Sequence, residues 1–492
     1  MDKIVKAKIT ELIDALRRQE VTAKEVVQEH LARIREKDVM LKAYLYVDYD
    51  GAVRAASEID EKLKTGRSLP LSGVPVAIKD VISVRELPLT CGSRILRNYV
   101  PPYDATVVTN LKRAGAIVLG KTNTDEFAMG SSTENSAYGP SVNPWAQDRV
   151  PGGSSGGSAV AVSAGMAPFA LGTDTGGSVR LPAAFTGLFG LKPSYGAVSR
   201  YGLVAFSNSI EQIGVFARSV DDLSIVYGVI SGKDPKDGTT LAFGWNDLQA
   251  SRIDPTTLRI GLVKEMIGEG VDPSVDQALK NVCKKFENEG STIEEVSIEH
   301  LKHCLAAYYI IAMSEASSNL ARFDGIRYGE HPRFEEDWNT EYSKIRGLFG
   351  TEVKRRILLG AYSLSSGYFD MYYDKAARFR TLIRGEFEQA FRKFDFLLSP
   401  TSPTPAFRLG EKVDNPVTMY LSDVDTVPVN LAGIPAISIP SGFSQSDGTR
   451  LPVGVQIMAA YGKDDKLLAA ASFLEKTGVA KAVVVDPWGI EL

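Results

Sequence analysis

Two glycine-rich turns and one lysine are the parts of this sequence best equipped for chemistry. The segment Gly172–Ser178, GTDTGGS, follows the strand-like run Pro168–Leu171 and leads into a second apolar stretch. A serine at the end of such a Gly-Gly turn is exposed, and the backbone N–H groups of Thr175, Gly176, Gly177 and Ser178 can converge on one oxygen. That suits acyl transfer through an oxyanion hole, where each donor is worth about 2.7–4 kcal/mol in the transition state. A serine hydroxyl also needs a base. Histidine is scarce: the four residues His30, His300, His303 and His331 lie in charged, helix-like or loop-like segments expected at the surface. A lysine can take over if desolvation leaves its amine neutral near pH 7. Lys79, ending the apolar run GVPVAIK from Gly73, fits that role. A strand-end lysine is ordinarily solvated, and only its company with the two turns marks it out.

The other turn, Pro151–Ser158 (PGGSSGGS), reads in isolation as a flexible linker. It runs directly into the apolar, helix-compatible AVAVSAGMAPFALG, which a linker should not do. Strand, glycine turn and helix in succession also suit phosphate binding. Against that, neither turn is followed by Lys and Ser/Thr as a P-loop requires, and there is no GxGxxG.

These residues need a scaffold, and the hydrophobic pattern describes an α/β one. Residues 1 to about 70 read as a helical layer, with Thr22 and Glu25 as a capping box. From Gly73 short β-branched runs, Val76–Ile78 and Ile117–Leu119 among them, alternate with helix-like stretches and glycine turns, the texture of an α/β sheet. Ser231–Thr240, SGKDPKDGTT, reads as a surface loop, followed by strand-like Leu258–Val263 and by a helix with Asp272 as N-cap and Pro273 at its first position. Strand-like Phe396–Leu398, Ala436–Ile439 and Val453–Met458 are expected to rejoin the first sheet. The chain thus reads as one domain, 1–492: helical layer 1–70, core 71–230, helix-rich insertion 231–400 and C-terminal part 401–492.

Composition excludes several classes. Hydrophobic residues at 44% and charged residues at 24% are those of a globular protein. A net charge of −4 with no basic run offers nothing to a phosphate backbone. Three cysteines, an odd count without CxxC spacing or a paired framework, suit a reducing compartment and buried thiols. With no signal peptide and no stretch of about 20 apolar residues, a cytoplasmic protein without a membrane partner is expected.

GVPVAIKD, PGGSSGGSA and GTDTGGSVRLPAAFTGLFGLKP, in this order, resemble the amidase signature family. The resemblance implies that family's fold, a central twisted mixed β-sheet covered by helices on both faces. It implies a Ser-cisSer-Lys triad: Ser178 as nucleophile, Ser154 in a cis peptide linkage as proton relay, Lys79 as ultimate base, and no metal. Outside the catalytic core, DEFAMGSSTENSAYGP, YYIIAMSEASSNLARFDGIRYG and VPVNLAGIPAISIPSGF are similar to the branch of the family that serves tRNA-dependent amidotransferases. That branch implies glutamine as substrate, held by Arg356 and Asp423 with Tyr309 and the Gly130-Ser131 turn nearby. It also implies two partner subunits, B and C, with ATP, Mg and the main tRNA contacts on a partner and no cofactor in this chain. Two positions depart from the branch: Leu181 stands where glutamine is usual, and Thr173 where serine is common. General amidases share both, so a free-standing amidase acting on small or aryl amides is the alternative.

Overall fold

The structure, a computed structural model, describes residues 2–242, 253–331, 335–446 and 448–492. Its centre is an 11-stranded mixed sheet. The strands are β1 (Tyr44–Val47), β2 (Pro75–Lys79), β3 (Ile117–Thr122), β4 (Phe169–Asp174), β5 (Phe189–Lys192), β6 (Gln212–Ala217), β7 (Arg259–Val263), β8 (Thr292–Val296), β9 (Phe396–Pro400), β10 (Ala436–Ser446) and β11 (Thr449–Ala459). They lie in the order β1-β3-β2-β4-β6-β5-β10-β11-β9-β7-β8. β2 runs parallel to β3 and β4, and β7 parallel to β8 and β9; the remaining pairs are antiparallel. The late strands β9, β10 and β11 therefore rejoin the first sheet, as the sequence pattern predicts.

Successive residues of the central strands enter two different cores. Val76, Ile78, Phe169, Leu171 and Val215 pack in one, Ala77, Ala170 and Phe216 in the other. This two-residue period is the signature of a sheet buried on both faces. Helices Thr106–Arg113, Val220–Ile230, Pro273–Asn288 and Cys304–Leu320 contribute to the first core. Ala23–Leu41, Tyr49–Lys64 and Gly156–Ser163 contribute to the second.

Local signals hold where they are chemically specific. Thr22 Oγ1 accepts from the Glu25 N–H at 3.1 Å while Glu25 accepts from the Thr22 N–H at 2.8 Å, closing the capping box. Asp272 caps the helix that begins at Pro273, whose Val275, Leu279, Val282 and Phe286 are buried. Residues 231–240 form a loop fastened through Asp234, which accepts from the hydroxyls of Thr106 at 2.5 Å and Ser199 at 2.6 Å. The three cysteines are unpaired, and among the described residues no helix is long and apolar enough to cross a membrane.

Two expectations need correcting. The N-terminal layer is not wholly helical: Lys42 turns left-handed (φ 52°) and Tyr44–Val47 pairs antiparallel with β3. Aromatic and β-branched residues at 44, 46 and 47 favour that edge strand. Nor are all four histidines at the surface. His30 is fully buried, its Nδ1 2.8 Å from the Val26 carbonyl one turn back, and burial lowers its pKa to about 4. Charged neighbours in sequence concealed the buried stripe of its helix.

Candidate active site

Lys79 ends a strand whose two faces are both covered by packed cores, and its side chain is 0% exposed. Its Nζ lies 2.8 Å from Ser154 Oγ, 2.8 Å from Ser155 Oγ and 2.7 Å from Thr173 Oγ1. Burial lowers its pKa from 10.5 to about 7, against the pull of Asp125, Asp174, Glu211 and Cys91 toward the charged form. The amine is thus a base near neutrality, set among hydroxyls.

Ser154 sits in the turn that reads as a linker in isolation, yet every residue from 151 to 158 is buried. The Gly153–Ser154 peptide is cis. A phosphate cradle is excluded by the same packing. The Gly156 N–H donates to Thr133 Oγ1 at 3.0 Å and the Gly157 N–H to the Asn123 carbonyl at 3.2 Å, so the amides opening helix Gly156–Ser163 are spent internally.

Ser178 follows β4 in a loop braced by a buried ion pair. Asp174 accepts from Arg180 Nη2 at 2.9 Å and Nε at 3.0 Å, and both side chains are fully buried. Burial opposes the Asp174 charge, but Arg180 outweighs it and holds the pKa down at about 2. Arg180 also reaches Asn430 and Gln456, at 2.5 Å each, and the Thr426 carbonyl at 3.1 Å, tying the loop to β11 and to the helix Val427–Ala432 with its N-cap. Ser178 is 8% exposed.

The four-amide oxyanion hole needs one correction. The Gly177 N–H donates to Asp174 Oδ1 at 2.9 Å, so this amide holds the turn. Thr175, Gly176 and Ser178 remain as candidate donors. The loop is crowded from above: a Cβ at Gly176 would lie 2.5 Å from the Tyr308 ring, and one at Gly177 2.2 Å from Thr426 Oγ1.

A second polar group adjoins it. Asp423 accepts from Ser131 Oγ at 2.7 Å and Tyr309 OH at 3.1 Å. Burial raises its pKa to about 7, against those hydrogen bonds and the Arg356 charge. Arg356, on the buried face of helix Thr351–Leu364, lies 5.3 Å above the Tyr309 ring and 5.5 Å above Tyr420, and pairs with Glu352 at 2.7 Å. Thr426 Oγ1 joins the two groups, 2.6 Å from the Gly176 carbonyl and 3.1 Å from that of Asp423. Ser131, Tyr309, Arg356 and Asp423 therefore meet beside the Ser178 loop, while Gly130 leaves room for Asp125, whose Cγ would lie 2.4 Å from any Cβ there. Cation, anion and hydroxyls at fixed positions suit a zwitterionic substrate.

The family model for amidases matches residues 25–468. This chain belongs to the amidase signature family. It is 52% identical to the A subunit of the glutamyl-tRNA(Gln) amidotransferase of Acidothermus cellulolyticus, over 96% of this chain and 95% of that one. It is 54% identical to the corresponding A subunit of Methanosarcina acetivorans, over 93% and 94%. The crystal structure of the glutamyl-tRNA(Gln) amidotransferase A subunit from Thermotoga maritima superposes with a TM-score of 0.79 at 38% identity, covering 98% of both chains. The chain is an amidase signature enzyme with the role of an amidotransferase component.

Several residues of this amidase site escape the sequence reading. Ser155 is the second hydroxyl on Lys79; its only signal is adjacency to Ser154. Thr173, visible as a departure, keeps a hydroxyl on the lysine. Tyr420 and Thr426 have no local signal, because their partners Glu352 and Gly176 lie far along the chain. Glu352 stands i,i+4 from Arg356, a helical ion-pair spacing visible in sequence, and Asp125 turns back on the nearby amides of Thr133 and Asn135. Leu181 lies with Val150, Phe185, Phe407 and Met419 in an apolar cluster.

Proposed function

We propose that this chain is the glutamine-hydrolysing subunit of a cytoplasmic tRNA-dependent amidotransferase. Neutral Lys79 takes a proton from Ser154, which takes one from Ser178. Ser178 Oγ attacks the side-chain carboxamide, forming a C–O bond, and the proton returns through the relay to the leaving nitrogen as the C–N bond breaks. Ammonia departs. Water, deprotonated by the same relay, cleaves the acyl-enzyme to glutamate and frees Ser178. Arg356 takes the α-carboxylate of glutamine and Asp423 its α-ammonium, which keeps the Asp423 carboxylate ionised despite its burial. On this reading the ammonia passes to a partner that activates Glu-tRNA(Gln), or also Asp-tRNA(Asn), with ATP and Mg, and a small third subunit completes the assembly.

The observation that carries the reading is the contact between Lys79 and Ser154. Ser155 Oγ donates to the Thr173 carbonyl at 3.1 Å, so toward Lys79 it can only accept. Ser154 is left free to give its proton to the amine lone pair. The test is Ser178→Ala in the assembled complex, supplied with glutamine, ATP, Mg and charged tRNA. Glutamate release should fall by about 10⁴-fold or more, and amide transfer supported by added ammonia should persist. A purified chain that hydrolysed simple amides briskly and ignored glutamine would overturn the glutamine assignment in favour of a free-standing amidase.

A further inference from the structure

Asp125 stands between the two halves of the site without belonging to either. It is fully buried, and its carboxylate accepts from the Thr133 N–H at 2.8 Å and the Asn135 N–H at 3.0 Å. Its own N–H donates to the Ser154 carbonyl at 3.3 Å. Both neighbouring turns are shaped around that carboxylate: a Cβ at Gly153 would lie 2.3 Å from Asp125 Oδ2, and one at Gly130 2.5 Å from Oδ1. Thr133 Oγ1 extends the staple by donating to the Gly152 carbonyl at 2.9 Å. The loop bearing Ser131, which binds Asp423, is thereby locked to the loop bearing Ser154, which binds Lys79.

We propose that Asp125 is the positioning residue of the relay: it fixes the Ser154 turn against the Ser131 turn, and its carboxylate, when ionised, is the negative charge against which Lys79 works. The proposal rests on the reading of Lys79 as the base. Asp125 reaches Lys79 through the Ser154 turn, its N–H on the Ser154 carbonyl at 3.3 Å and Ser154 Oγ 2.8 Å from Lys79 Nζ. The other negative or ionisable groups acting on Lys79 are Asp174, Glu211 and Cys91. Asp174 is neutralised by Arg180 at 2.9 Å, and Glu211 lies 3.9 Å from Arg200. Cys91 is a buried thiol whose pKa is pushed far up, so it stays neutral. Asp125 makes no salt bridge among the described residues, and the charged groups facing it are Lys79 and Glu134. Burial raises its own pKa to about 6, against the two amides and Lys79. Above that pH its charge holds a proton on Lys79 that burial alone would expel.

Asp125→Asn, made in the assembled complex, keeps the shape and one acceptor while removing the charge. The acid limb of the kcat/KM profile for glutamine should move down by about one pH unit. The kcat at the plateau should fall while KM changes little, and Asp125→Glu should return the limb toward its original position. A limb that stays in place in an active Asp125→Asn enzyme overturns the proposal. Where Asp125→Asn does not fold, the reciprocal measurement decides. With ¹³Cγ-labelled aspartate, a carboxyl titrating near pH 6 should move up by about one unit in Lys79→Met, and no such movement overturns the coupling. This titration requires no turnover, so it stands apart from the Ser178→Ala test of the hydrolytic reading.

Discussion

Lys79 and Lys121 stand on adjacent parallel strands, Lys79 opposite Thr122 and Lys121 opposite Ile78. Both are 0% exposed. Lys121 Nζ meets the Asp80 carboxylate at 2.8 Å, a closed ion pair that Asp80 also secures by accepting from the Thr90 N–H and hydroxyl. Lys79 Nζ meets three hydroxyls and, among the described residues, no carboxylate within hydrogen-bond reach. The Lys121 amine is committed to its carboxylate, whereas burial among neutral oxygens brings the Lys79 pKa down to about 7. Burial is common to both; the partner decides which lysine braces the sheet and which can act as a base.

The comparison breaks most visibly at Lys79. Lys79→Met should fold, since the strand is otherwise apolar, and should lose about 10³–10⁴-fold or more of the glutamine hydrolysis rate. The parent should show its limb in the pH dependence of kcat/KM. With the Lys79 pKa lowered to about 7, the neutral fraction and hence the rate rise as pH climbs through that value and flatten above it. A parent rate flat between about pH 6 and 8 would remove Lys79 from the role of base.

At Lys121 the loss should appear in stability. Asp80→Asn leaves a buried ammonium without its counter-charge, which costs about 3–5 kcal/mol, read as a lower denaturant midpoint. Residual folded enzyme should keep the limb near pH 7, because the ion pair is separate from the hydroxyl group around Lys79. If Asp80→Asn moved the limb instead of the midpoint, the division between the two lysines would fail.

The turns and the strand ends were legible in sequence because glycine, proline and β-branched residues act locally. GTDTGGS, PGGSSGGS and Lys79 announce themselves together, and β2, β3 and β4 follow from short apolar runs. What stayed hidden depends on distant partners. Nothing near Asp174 says that Arg180 will reach Asn430 and Gln456. The Gly177 N–H, by contrast, turns back onto Asp174 only three residues away, and an aspartate ahead of a Gly-Gly turn is the signal that could have removed it from the oxyanion hole. The split of β2 between two cores, which denies Lys79 its route to water, becomes visible only when helices from both ends of the chain are in place.

Leu181 offers a smaller effect. It reads as a departure bearing on glutamine, but its side chain is fully buried in the cluster of Val150, Phe185 and Phe407. Leu181→Gln places an amide in this apolar cluster without a hydrogen-bond partner, costing about 1–3 kcal/mol. The KM for glutamine should stay within about twofold of the parent if Leu181 only packs. A large fall in KM with unchanged stability would return position 181 to the substrate pocket.

The smallest expected effect, and the finest probe of the Lys79 environment, lies at Thr173. Its Oγ1 is 2.7 Å from Nζ, while its N–H donates to Ser155 Oγ and its carbonyl accepts from the same hydroxyl. Thr173→Ser keeps the oxygen and removes one methyl, so it should leave both rate and limb within about twofold and a few tenths of a pH unit. Thr173→Val keeps the shape and removes the oxygen. The ammonium form of Lys79 then loses one of three acceptors, and because that form benefits more than the neutral amine, the limb should shift to lower pH. A serine variant that shifts the limb as far as valine does would show that the methyl, rather than the hydroxyl, sets the base at this position.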